Sequence, residues 1–123
     1  MKRILYIDDD PLMLSEMKRY VEERFPGIKT LTCQDPMEGI RLIDPTLDLL
    51  IIDLEMPAID GKKLLSYAIS LGIDKKKIII ISGLEADYLH EAIPTGYCLC
   101  VLNKNEAKQR EVLDMVLSSV EKK

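Results

Sequence analysis

Leu49-Leu50-Ile51-Ile52-Asp53 is an apolar run with no polar alternation, closed by a carboxylate. A strand with one face in water alternates apolar and polar side chains, whereas a run that is apolar at every position needs cover on both faces. The segment therefore predicts a central strand sandwiched between helices. Comparable runs lie on either side of it, at Arg3 to Ile7, Ile28 to Thr32, Ile78 to Ile81 and Cys98 to Leu102. Each is followed by a stretch of helical composition. Short strands alternating with helices predict an α/β chain, a three-layer doubly wound (βα)5 arrangement around a five-stranded parallel sheet.

The joints between these elements carry their own signals. Asp10-Pro11 offers an N-cap followed by proline in the first helical turn, and Leu12, Met13, Met17, Tyr20 and Val21 then recur at helical spacing up to Pro26-Gly27. Asp35-Pro36 repeats the signal for a shorter helix through Met37, Ile40 and Ile43, which stops before Pro45. A third helix, with Leu64, Leu65, Ala68, Ile69 and Leu71, starts near Asp60-Gly61 and closes at Gly72. A fourth, with a poor apolar pattern, is expected over 85–93. A fifth should run from Asn105 or Glu106 to about Val120, with Val112, Leu113, Val116 and Leu117 on one face.

Composition narrows the class. A chain of 123 residues with 47% hydrophobic and 31% charged residues predicts one domain of ordinary size over residues 1–123. Runs such as Ile78 to Ile81 fall far short of the roughly 20 residues that a membrane helix needs. The opening Met1-Lys2-Arg3-Ile4 leads into a strand rather than a signal peptide, so a cytoplasmic protein without membrane contact is expected. Cys33, Cys98 and Cys100 are an odd set, read as buried small hydrophobes rather than a disulfide framework. Cys98 and Cys100 are expected on one face of a strand, without a neighbouring His or Cys to complete a metal site. A net charge of −4 without a basic run argues against direct nucleic-acid binding.

Strands of a parallel sheet all point the same way, so residues at their ends converge on one edge. Asp8, Asp9, Asp53, Ser82 and Lys104 stand at such ends. A hard cation such as Mg²⁺ takes oxygen ligands, which Asp9 and Asp53 can supply. Without a cation, Asp8, Asp9, Asp53 and nearby Glu55 would repel one another and raise at least one pKa. A carboxylate can also attack phosphorus and form an acyl phosphate when cationic groups such as Lys104 neutralise the transferring group. Ser82 would hydrogen-bond that group only in the modified state, which supplies a switch. Taken singly, these residues have plainer roles: Asp10 a helix cap, Ser82 a turn residue, Lys104 a solvated charge, Glu55 a solvent-facing side chain, and His90 an exposed residue of the fourth helix. Their co-occurrence in this order favours a phosphoryl-transfer site.

Four segments carry a resemblance. Ile4-Leu5-Tyr6-Ile7-Asp8-Asp9-Asp10-Pro11, Asp48 to Pro57 with Asp60-Gly61, Ile81-Ser82-Gly83 and Leu102-Asn103-Lys104 together resemble the receiver domains of two-component response regulators. The resemblance implies the flavodoxin-like strand order 2-1-3-4-5. It implies Asp53 as phosphoacceptor, Asp9 as direct Mg²⁺ ligand, Asp8 as a water-mediated or outer ligand, the Glu55 backbone carbonyl as the remaining protein ligand, and Ser82 and Lys104 as readers of the phosphoryl group. The phosphodonor would be a sensor histidine kinase or a phosphotransfer protein. The resemblance is also compatible with an output domain in the same protein, should these residues be a fragment of it, and with a phosphorylation-dependent dimer through the helix at 85–93, the fifth strand and the last helix, and it decides neither. Such a domain catalyses its own modification and does not turn over an external substrate.

The chain departs from the family pattern in two places. Asn105 follows Lys104 where the family usually has proline after a cis bond, which without proline costs about 2.5–4 kcal/mol. Val101 stands where a Tyr or Phe ring is frequent, so output is expected through the Ser82-Gly83 corner and the segment up to residue 94. These departures leave one alternative, a receiver-like interaction module that is not phosphorylated in the cell. Other classes fit less well. An aspartyl-phosphate phosphatase could use Glu55 as general acid but needs a cap for which there is no room. A flavodoxin would need a Ser/Thr/Gly-rich loop after the first strand, and no P-loop is present.

Overall fold

Every position of Leu49–Asp53 is buried, and so is every position of Ile78–Ser82, as runs without alternation require. The computed structural model describes residues 1–57, 59–83, 93, 96–104 and 107–123. The strands β1 (Lys2–Ile7), β2 (Ile28–Cys33), β3 (Leu49–Asp53), β4 (Ile78–Ser82) and β5 (Cys100–Asn103) form one parallel sheet in the order β2-β1-β3-β4-β5. The helices are α1 (Pro11–Arg24), α2 (Pro36–Leu42), α3 (Gly61–Ser70) and α4 (Ala107–Lys122), with a short 3₁₀ turn at Lys75–Lys77. Of the helix expected over 85–93, residues 85–92, with His90, lie outside the described residues, and Ile93 is a buried residue in a bend rather than in a helix; the start of the last helix at 105–106 also lies outside. No helix among the described residues is long and apolar enough to cross a membrane.

Period-two alternation sorts the strand residues between two cores. Leu5, Ile7, Leu50, Ile52, Ile78 and Ile80 pack with Leu64, Leu65 and Ala68 of α3. Ile4, Tyr6, Leu49, Ile51, Ile79 and Ile81 pack on the opposite face with Leu14 and Val21 of α1 and Leu113 and Leu117 of α4. Burying such side chains contributes roughly 1.5–3 kcal/mol each, so both layers are held by the same central strands.

The helix boundaries follow from the predicted caps. The Asp10 carboxylate accepts the Leu12 N–H at 3.0 Å, and Asp35 accepts that of Met37 at 2.9 Å, each followed by proline in the first turn. Asp60 accepts the Lys62 N–H at 2.8 Å at the start of α3. At its end, Gly72 adopts φ +96°, which brings its N–H to the Ile69 carbonyl at 3.0 Å and the Ile73 N–H to the Ala68 carbonyl at 3.2 Å.

The fifth strand differs from the expectation of 98–102. It begins at Cys100, paired with Ile79, because β4 itself begins only at Ile78 after the 3₁₀ turn and offers no strand beside Tyr97 and Cys98. Cys98 therefore lies before the strand, and the two thiols do not share a face. Cys98 packs against the α3 side of the sheet, and Cys100 against the α1 and α4 side. All three cysteines are free, and Cys33 is buried.

Candidate functional site

The register places the chemistry. Asp53 is level with Ile81, and Ser82 with Asn103, so the ends of β3, β4 and β5 meet at one sheet edge beside the end of β1. Asp8 follows β1 and is held there by its own N–H, which donates to the Cys33 carbonyl at 3.1 Å. The Lys104 N–H likewise donates to the Ser82 carbonyl at 2.8 Å, carrying the pairing one residue past β5. Asp8, Asp53 and Ser82 are buried, with side chains directed into the crevice between these ends, and Asp9 is half-buried. Asp10 caps α1, the plain role its position suggests.

Oxygen atoms of Asp8, Asp9 and Asp53 all lie within 4.8 Å of one another. Three carboxylates this close repel unless a cation joins them, and one is present: Lys104 Nζ stands 2.9 Å from Asp8 Oδ2 and 3.3 Å from Asp53 Oδ2. Among the described residues, one ammonium against three carboxylates leaves the cluster negative. An all-oxygen donor set of net negative charge fits a hard divalent cation and not a thiophilic one.

The two buried carboxyls respond in opposite directions. Burial works to raise Asp8, but hydrogen bonds from the Tyr6 hydroxyl, the Asp10 N–H at 3.0 Å and the Lys104 ammonium outweigh it and hold Asp8 below the usual carboxylate range. Burial pushes Asp53 up to about 7, and the neighbouring Asp8 charge adds to the rise against the pull of the Glu55 N–H and Lys104. Burial would lower the Lys104 ammonium, yet the two carboxylates more than compensate and raise it. Asp53 is thus the carboxyl that carries a proton most readily and the one that gains most from an added cation.

Glu55 is exposed, as its plain role requires, but its carboxylate is also engaged. Its Oε1 accepts the Ser82 hydroxyl at 2.7 Å and the Gly83 N–H at 2.8 Å, while its backbone N–H donates to Asp53 Oδ1 at 3.1 Å. Gly61 makes the close approach beneath the site possible. A Cβ there would sit 2.7 Å from the Asp53 carbonyl oxygen and from the Leu54 Cα, so only glycine lets the start of α3 pack against the end of β3.

Of the six residues singled out in the sequence, Asp8, Asp9, Asp53, Ser82 and Lys104 come together at the strand ends, and Glu55 lies beside them, its N–H on Asp53 and its side chain on Ser82. Two participants were not legible as such. Tyr6 is fully buried and donates its hydroxyl to Asp8, a role its i, i+2 spacing from Asp8 on one strand face could have signalled. The Glu55 carboxylate had no such signal, because its partner Ser82 lies on another strand. Val101, in place of an aromatic ring, is partly buried against the α3-side core. The Lys104–Asn105 bond runs into residues outside those described.

Comparison with known proteins agrees with this geometry. Residues 4–116 match the family model of the response regulator receiver domain. The chain is 31% identical over 97 residues to the two-component response regulator ARR18 of Arabidopsis thaliana, covering 78% of this chain but 15% of that protein's length. Among solved structures it is similar to the receiver domain of the hybrid histidine kinase CckA, at 29% identity and TM-score 0.70, over 94% of this chain and 98% of that one. The response regulator TrrA of Thermotoga maritima, solved in complex with Mg²⁺-BeF, shares the fold at 24% identity and TM-score 0.76, over 94% of this chain and 99% of that one. A crevice of three carboxylates and a lysine at the ends of a 2-1-3-4-5 sheet, with a family match over most of its length, shows that the chain belongs to the response regulator receiver domain family.

Proposed function

We propose that the chain is a phosphoacceptor switch in which Asp53 takes a phosphoryl group from a histidine kinase or phosphotransfer protein. The observation that carries this reading is the buried Asp53 carboxyl between two further carboxylates and the Lys104 ammonium, a nucleophile surrounded by charge-neutralising and metal-holding groups. In the transfer step, an Asp53 carboxylate oxygen forms a bond to phosphorus as the bond from phosphorus to the donor's imidazole nitrogen breaks, and the electron pair leaves with the imidazole. Lys104 supports the charge on the transferring group. Asp9 and Asp53 would hold Mg²⁺ directly, with the Glu55 backbone carbonyl, and Asp8 would act through water. The ion, when bound, neutralises phosphoryl oxygens.

Ser82 and Lys104 read the modified state by donating hydrogen bonds to the new dianion, and a differential of a few kcal/mol is enough to reset a two-state surface. That surface is the segment from Ser82 to residue 94 with β5 and α4, which can serve a phosphorylation-dependent dimer or an output domain of the same protein. The setting is cytoplasmic. Incubation with acetyl phosphate and Mg²⁺ tests the reading: intact mass rises by one phosphoryl group in the wild type and not in Asp53→Asn, and Asp9→Asn needs far more Mg²⁺ for the same yield. Equal labelling of Asp53→Asn overturns it.

A further inference from the structure

Glu55 Oε1 takes two donors at once, the buried Ser82 hydroxyl at 2.7 Å and the Gly83 N–H at 2.8 Å. These are successive residues at the point where β4 ends and the chain leaves the crevice. The acceptor is anchored close by, since the Glu55 N–H donates to Asp53 Oδ1 at 3.1 Å. An anionic oxygen accepting one O–H and one N–H is also what a phosphoryl group on Asp53 would present to the same corner.

We propose that the Glu55 carboxylate is a built-in competitor for the phosphoryl group, holding the Ser82 hydroxyl and the Gly83 amide in the unmodified protein until phosphorylation takes them over. This rests on the reading of Asp53 as phosphoacceptor and adds to it a positioning residue that sets the threshold of the switch. The contact charges every modification with the loss of two charge-assisted hydrogen bonds before new ones form. On takeover the carboxylate is released at the rim, where Glu55 is already largely exposed, so its own solvation limits the penalty. Without Glu55 the corner swings to an anion at Asp53 with less competition.

The test has two readouts in the full chain. In the metal-free protein, the Gly83 amide proton resonance moves upfield in Glu55→Ala and returns most of the way in Glu55→Gln, whose amide oxygen keeps an acceptor in place. With Mg²⁺ present, Glu55→Ala lowers the beryllofluoride concentration for half-saturation by about tenfold, with Glu55→Gln in between. In a Ser82→Ala background the gain from Glu55→Ala shrinks to about threefold or less, because one of the contested donors is gone. An unmoved Gly83 resonance overturns the proposal, and so does a full tenfold gain in the Ser82→Ala background, which would mark a general charge effect. A wild type that gives no beryllofluoride response overturns the phosphoacceptor reading instead, while the Gly83 resonance still decides whether the contact exists.

Discussion

Lys104 Nζ lies 3.3 Å from Asp53 Oδ2, so the residue after the last strand supplies the counter-charge for the carboxylate at the end of the third. The same ammonium sits 2.9 Å from Asp8, which makes it a substitute for part of a cation's charge. Replacing it with methionine removes that competition. Lys104→Met should bind Mg²⁺ severalfold more tightly than the wild type in a titration, yet lose roughly 2 kcal/mol of metal-free stability at pH 8, where Asp8 and Asp53 are left unpaired. Weaker Mg²⁺ binding would show that Lys104 supports the metal rather than replaces it.

Asp53 gives the metal-free protein a pH dependence of definite sign. Its folded pKa of about 7 lies above the ordinary 3.8, so the folded chain keeps a proton that the unfolded chain has released. Stability from this group is full below about pH 4 and is lost as pH rises through about 7, on the order of 4 kcal/mol. Asp8 acts in the other direction, because its lowered pKa contributes stability above the ordinary carboxylate value and loses it only in stronger acid. Urea unfolding between pH 4.5 and 8 should therefore show a decline that Asp53→Asn abolishes and saturating Mg²⁺ reverses. A flat profile would contradict it.

Tyr6 holds Asp8 from within the core, donating its hydroxyl to the oxygen that Lys104 also reaches. Tyr6→Phe keeps the ring and removes the donor, leaving a fully buried carboxylate short of one hydrogen bond. A loss of about 1.5–3 kcal/mol in urea unfolding is expected, characteristic of bonds to charged groups. A change under 0.5 kcal/mol would mean that the hydroxyl carries no share of the Asp8 charge.

Gly61→Ala drives a methyl group into the backbone at the end of β3, 2.7 Å from the Asp53 carbonyl oxygen and the Leu54 Cα. Backbone cannot yield as a flexible side chain does, so the start of α3 must move away. The substitution should destabilise the protein by roughly 1–3 kcal/mol and lower the rate of phosphoryl uptake by displacing Asp53, as thermal unfolding and labelling kinetics would show. Wild-type behaviour in both would mean that the approach is loose.

Local chemistry explains what was legible in the sequence. Asp10-Pro11, Asp35-Pro36 and Gly72 set helix ends through neighbouring groups, and the unbroken apolar runs at 49–52 and 78–81 could only be interior strands. Asp8, Asp9, Asp53, Ser82 and Lys104 were legible because strand ends in a parallel sheet must converge. The start of β5 was not, since it depends on where β4 begins across the sheet. Nor was the grip of Glu55 on Ser82 and Gly83, a contact between strands that leaves no trace in spacing.

Asp53 as the acceptor can be tested directly, because an acyl phosphate can be marked where it forms. Borohydride reduces an aspartyl phosphate to homoserine, which tandem mass spectrometry locates along the chain. After acetyl phosphate and Mg²⁺, homoserine is expected at position 53, absent when Mg²⁺ is chelated. Homoserine at position 8 or 9, or a yield at 53 that is indifferent to Mg²⁺, would contradict it.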